Sequence, residues 1–147
     1  MKKIYTILLL FALLLTSTVG CGRVAEDNGK IKVIATVFPA YDFAREIAGD
    51  AANVKMLLPA GGESHSYEPS TKDIIDISDC DLFIYTGGES DSWVDALLDS
   101  LETPVNTLKM MESVALQESG HDHEHDHDAE YDEHVWTSPE NARIICR

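Results

Sequence analysis

The sequence predicts an α/β fold, a mostly parallel sheet flanked by helices. Three observations predict it. Short apolar, β-branched runs of strand length recur along the chain, stripes of apolar residues at helical spacing alternate with them, and proline, glycine or a capping residue stands at most junctions. Such alternation implies right-handed crossovers, and ligands of these sheets collect beyond the carboxyl ends of the strands. The loops at that edge are where function is expected.

Residues 1–20 read as an export signal rather than as part of the fold. Three residues with two lysines lead, residues 4–15 are an apolar run too short to span a bilayer comfortably, and small residues then approach Cys21. Residues 21–30 are polar and suit a tether. Structure is expected from Ile31, with a strand over 31–37 that Phe38-Pro39 ends. A helix follows in which Ala40, Phe43, Ala44, Ile47 and Ala48 share a face, with Gly49 placed to stop it. Residues 53–58 repeat the strand pattern and lead through Pro59 and a glycine-rich turn into the loop that carries His65. Ser70 with Asp73 three residues on is a capping-box signature for a short helix containing Ile74, Ile75 and Ile77. Residues 82–85 are apolar throughout, as befits a strand covered on both faces. Gly87-Gly88 ends it, Val94, Ala96, Leu97, Leu98 and Leu101 form a further helical stripe, and 104–108 is a fourth strand with a short continuation over 114–116. Residues 117–133 are nearly devoid of apolar side chains and read as an extended loop. Val135 and Trp136 then look buried, and Ser138-Pro139 opens a last helix.

Length allows about one domain. The formal charge of -15, from 26 acidic against 11 basic residues, argues against a nucleic-acid partner, because a phosphate backbone demands clustered lysine and arginine. Cations are the expected ligands. Of three cysteines, Cys21 directly follows the signal; an oxidising compartment would permit Cys80 and Cys146 to pair, though nothing in their spacing requires it, and Cys80 sits between a helical and a strand pattern, where a buried thiol acts as a small apolar residue. No CxxC is present, so a thiolate zinc site is not indicated.

Five of the six histidines fall between residues 120 and 136. His121, His123, His125 and His127 alternate with carboxylates, so in an extended segment the imidazoles line one side and the acids the other. Neutral imidazole is a common zinc ligand. A flexible ribbon of this kind loses conformational entropy on binding, so it should hold metal less tightly and less selectively than a preformed pocket. Its carboxylates favour protonated histidine, so binding should weaken as pH falls toward about 6. His65 and His134 differ in kind: each is a lone histidine at a structured boundary, and they are the better candidates for a metal site.

Taken together, the cysteine after a signal, VFPAYDFAREIAGD, the loop GGESHSYEPST, LFIYTGGESDSWVD, the histidine-rich acidic stretch and EHVWTSPENARII resemble the zinc and manganese substrate-binding lipoproteins of ABC transporters. That family includes the high-affinity zinc-uptake binding proteins and relatives once called adhesins. The resemblance covers the mature chain but only the amino-terminal half of a family member. It implies one lobe, residues 31–147, of a two-lobe metal-binding protein, with a histidine-rich loop at 117–133 and a backbone helix, cut short here, from 139. It implies that His65 and His134 are metal ligands, that the remaining ligands belong to a second lobe beyond residue 147, that Cys21 is lipidated and anchors the protein outside the cytoplasm, and that the partner is an ABC permease. Ser64, Thr137 and Thr18 depart from the family's usual residues at their positions. Imidazole-rich shells suit Zn2+ and carboxylate-rich ones Mn2+; the histidine-rich loop, common in the zinc branch, favours Zn2+. Neither an HExxH helix nor a nucleophile and base at useful spacing is evident, so no enzyme is indicated. Two alternatives stay open: a metal-dependent hydrolase lobe with Glu68 or Glu133 as base, and an adhesin whose loop buffers metal.

Overall fold

The computed structural model describes residues 29–62, 64–116 and 131–147. The signal segment, Cys21, and His121, His123, His125 and His127 lie outside them. Strands β1 (Ile31–Ala35), β2 (Ala52–Met56), β3 (Leu82–Tyr85) and β4 (Thr107–Lys109) form one sheet in the order β2-β1-β3-β4, every pair parallel. Helices α1 (Phe38–Ala48), α2 (Thr71–Ser78), α3 (Ser92–Ser100) and α4 (Pro139–Ile145) flank it. Helices cover both faces, as parallel strands require, and strand alternation divides the core accordingly. Val33 and Ala35 of β1 pack with Ala40, Ile84, Met110 and Val135 on one face. Ile34, between them in sequence, packs with Phe83, Tyr85, Ile77, Val94 and Leu97 on the other.

The predicted elements are present with shifted ends. The first strand stops at Ala35 rather than at 37 because Thr36 and Val37 turn: Val37 becomes the N-cap of α1, with Pro39 in its first turn. The fourth strand is Thr107–Lys109, and a 3-10 turn over Met110–Ser113 follows it; residues 114–116 form no strand. Gly49 does end α1, and the Ser70–Asp73 capping box is formed in both directions. Ser138 caps α4 by accepting from the Asn141 N–H. On α1, Ala40 is buried but Ile47 is 64 % exposed, because no described residue covers the end of that stripe. With Phe43, Ile31 and Ile145 it lines an apolar groove beside α4. Cys80 and Cys146 are both free thiols, and burial pushes the Cys80 thiol up to about 11, as a small apolar role requires.

One polar cluster fastens α2 to the sheet edge. Lys55 of β2 donates to Asp73 at 2.9 Å and to Asp76 at 2.6 Å, while the Tyr67 hydroxyl donates to Asp73 at 3.1 Å. Burial alone would raise the Asp73 pKa, but the hydrogen bonds from Ser70, Lys55 and Tyr67 outweigh it and hold the carboxyl at about 2, below its ordinary 3.8. A depressed native pKa means that the unfolded chain binds the proton first. The stabilisation from Asp73 is therefore complete above about pH 4 and is lost as pH falls from there toward about 2. Urea unfolding of Asp73→Asn across that range is expected to show lower stability at neutral pH and a shallower acid decline than the parent protein.

Candidate functional site

Three loops meet at the carboxyl edge of the sheet. The first leaves β2 and carries His65 on a 3-10 turn, Ser64–Ser66; the second leaves β3 through Gly87-Gly88 into the turn Glu89–Asp91; the third enters Val135–Thr137 and carries Glu133 and His134. In a sheet of order 2-1-3-4 the crossovers diverge between β1 and β3, and the ends of those two strands make the crevice where ligands of such folds sit.

Asp91 lies at that divergence and is 5 % exposed. Its Oδ2 accepts from the Thr86 N–H at 2.7 Å and the Gly87 N–H at 3.2 Å, both at the end of β3, and from the Thr36 hydroxyl at 3.4 Å, at the end of β1. Desolvation pushes its pKa up, against the pull of these donors. The carboxylate thereby fixes the start of the loop that follows.

That loop holds Glu133. Its carboxylate accepts from the Glu89 N–H and from the Ser90 N–H, the latter at 3.1 and 3.2 Å, and from the Ser90 hydroxyl. Successive backbone N–H groups at a turn make a natural seat for an anion, and here the anion is a side chain. Ser90 Oγ also lies 3.3 Å from His65 Nδ1, so a single hydroxyl joins the His65 loop to the residue before His134. His134 is held from its other side: Asp132 Oδ1 accepts from the His134 backbone N–H at 2.9 Å and meets its Nδ1 at 2.9 Å. Those contacts, the backbone bond first, hold the Asp132 carboxyl below its usual range. The His134 ring also stands edge-on to Trp136, centroids 5.4 Å apart.

Gly88 is what lets Glu133 approach. Its φ of 75° and ψ of -160° lie in a region that only glycine occupies readily, and a Cβ there would meet Glu133 Oε1 at 2.5 Å. Gly88→Ala is expected to cost about 1–3 kcal/mol in strain alone and to dislodge Glu133, measured by urea unfolding.

The two histidines singled out in the sequence are thus brought to one edge and tied together through Ser90 and Glu133. His121, His123, His125 and His127 lie outside the described residues. Among the described residues no three of His, Cys, Asp and Glu gather closely enough to hold a metal ion. Sequence reasoning missed Ser90 and Asp91. The signal for both was the run GGESD directly after a buried strand, which puts two flexible glycines, a hydroxyl and carboxylates at the carboxyl edge.

A family model described as "ZnuA: Zinc-uptake complex component A periplasmic" matches residues 33–147. Zinc-binding lipoprotein AdcA of Streptococcus pneumoniae serotype 4 is 40% identical over 150 residues, covering 97% of this chain and 30% of the relative. The crystal structure of Zn(II)-bound AdcA from Streptococcus pneumoniae superposes with a TM-score of 0.67 at 39% identity, covering 80% of this chain and 24% of that one. A Mn-bound periplasmic metal-binding protein from Candidatus Liberibacter asiaticus superposes with a TM-score of 0.66 at 26% identity, over 79% of this chain and 42% of that one. The chain therefore spans less than a third of the length of its curated streptococcal relative.

Proposed function

From the chain's membership of the ZnuA family, the zinc-uptake component A proteins, we propose that it is an extracytoplasmic substrate-binding protein that captures Zn2+ and delivers it to an ABC permease. His65 and His134 are the ligands this lobe contributes. The observation that carries the reading is their placement: two imidazoles on separate loops of one sheet edge, joined through Ser90 and Glu133. A tight zinc site takes about four ligands, so the pair supplies part of a set. Mn2+ is the second cargo to consider, since a Mn-bound relative shares the fold; imidazole donors favour zinc. Residues 1–20 serve as the export signal and Cys21 as the lipid anchor, which tethers the metal-binding lobe, residues 31–147, to the membrane. His121, His123, His125 and His127 serve as auxiliary metal-binding residues.

The hydrolase alternative loses one of its two candidate bases, Glu133, in this arrangement. Glu133 already accepts from two backbone N–H groups and a hydroxyl, which leaves it poorly placed to activate water. Nor do Ser90, His65 and Glu133 form a nucleophilic triad. There a histidine stands between hydroxyl and carboxylate, whereas here the hydroxyl stands between the other two. Calorimetric zinc titration together with an ester-hydrolysis screen tests the proposal. Stoichiometric zinc binding without turnover is expected; turnover dependent on the bound metal would replace the transport reading with an enzymatic one.

A further inference from the structure

We propose that Ser90 and Glu133 are positioning residues that set the tautomer of His65 and leave its Nε2 lone pair free for metal. The argument is one of donors and acceptors. Both Glu133 oxygens receive backbone N–H groups, which can only donate: Oε1 from Glu89 and Ser90, Oε2 from Ser90. The carboxylate therefore acts as an acceptor, and its contact with Ser90 Oγ uses the serine's single proton. Ser90 Oγ has only lone pairs left for His65 Nδ1 at 3.3 Å, so the ring nitrogen must be the donor. Neutral His65 is then the Nδ1–H tautomer, with Nε2 unprotonated. A hydrogen bond at one ring nitrogen is what usually decides which nitrogen a metal takes.

The same logic applies to His134, where the acceptor at Nδ1 is Asp132 Oδ1. Its Nε2 is also left as the free nitrogen. Ser90 and Glu133 do more than Asp132, however, because they couple the two loops. Glu133 immediately precedes His134, and Ser90 reaches His65, so a shift of either loop is felt at the other ring. The ligating pair is pre-set before metal arrives, which lowers the ordering cost of binding.

This inference rests on the zinc-capture reading, and the test separates the two. Histidine-15N NMR of the zinc-free full chain, at a pH where the ring is neutral, reads the His65 tautomer directly; calorimetry reads zinc affinity. The parent protein is expected to show Nδ1–H at His65. Ser90→Ala should shift the ring toward the mixed tautomers of a free imidazole and weaken zinc binding by about 10-fold, within the range for outer-shell changes. Ser90→Thr, which keeps the hydroxyl, should restore both. Glu133→Gln should move the ring toward Nε2–H, because an amide NH2 facing Ser90 Oγ frees the serine proton to point at His65. An Nε2–H tautomer in the parent, or a tautomer ratio indifferent to Ser90→Ala, overturns the relay whatever the zinc affinity. Zinc affinity unchanged by His65→Ala overturns instead the capture reading, and with it the purpose assigned to the relay.

Discussion

Replacing His134 by alanine is expected to weaken zinc binding at the tight site by more than about 100-fold, and His65→Ala by a similar factor. Outer-shell changes alone span about 10- to 100-fold, and removal of a ligand exceeds them. At about 1.4 kcal/mol per tenfold this is a loss of about 3 kcal/mol or more for each histidine. Deleting residues 121–128, which removes four histidines, is expected to change that affinity by less than about threefold while lowering the number of weakly bound ions. The contrast follows from how the groups are held. His134 has its backbone N–H and Nδ1 both fixed on Asp132 and its ring edge against Trp136, so little freedom is lost on binding. The run of His121, His123, His125 and His127 lies outside the described residues, and the expectation for it rests on its composition, which has almost no apolar side chain. Calorimetric titration of the three variants checks this. Tight binding that survives loss of both lone histidines but vanishes with 121–128 would move the site to the loop.

Much of the fold was legible because the sheet is buried on both faces. Val33, Ile34 and Ala35 are consecutive in sequence and all buried, on opposite sides, which is why the first strand reads as a mostly apolar run without alternation. Capping signals were equally local: Ser70 with Asp73, and Ser138 before Pro139, involve partners three residues apart and needed no knowledge of tertiary contacts. Strand ends were not legible. Thr36 and Val37 are β-branched and look like strand, yet Thr36 turns its hydroxyl to Asp91, 55 residues away. The histidines of the site stood out by residue type, whereas the Ser90 hydroxyl and the Glu133 carboxylate are ordinary surface residues in sequence. Their contact spans 43 residues and depends on β3 lying near the chain segment after β4. Glu133 drew attention only as a possible base, a role its hydrogen bonds replace with a structural one.

Asp91→Ala is expected to destabilise the protein by about 2–4 kcal/mol, while Asp91→Asn should cost less than about 1 kcal/mol. One oxygen, Oδ2, accepts from Thr86, Gly87 and Thr36. Alanine leaves two backbone N–H groups at a buried strand end without their acceptor, each at about 1–3 kcal/mol. An asparagine oxygen placed at Oδ2 keeps all three donors and carries no charge to desolvate. The pH dependence runs in the opposite direction here from that of Asp73. Because burial raises the Asp91 pKa, the native state holds its proton longer than the unfolded chain, so this group lowers stability as pH rises above about 4 toward its raised native value. Asp91→Asn should therefore gain on the parent as pH rises through that window, and urea unfolding at pH 4 and pH 7 measures it. The effect should reach the site as well. Asp91 anchors the segment Thr86-Gly87 from which Gly88, Glu89 and Ser90 extend to hold Glu133. Asp91→Ala is thus expected to weaken zinc binding at a temperature where the fold persists, and Asp91→Asn to spare it. Equal losses of zinc affinity in both variants would show that the charge, and not the acceptor geometry, is what the loop requires.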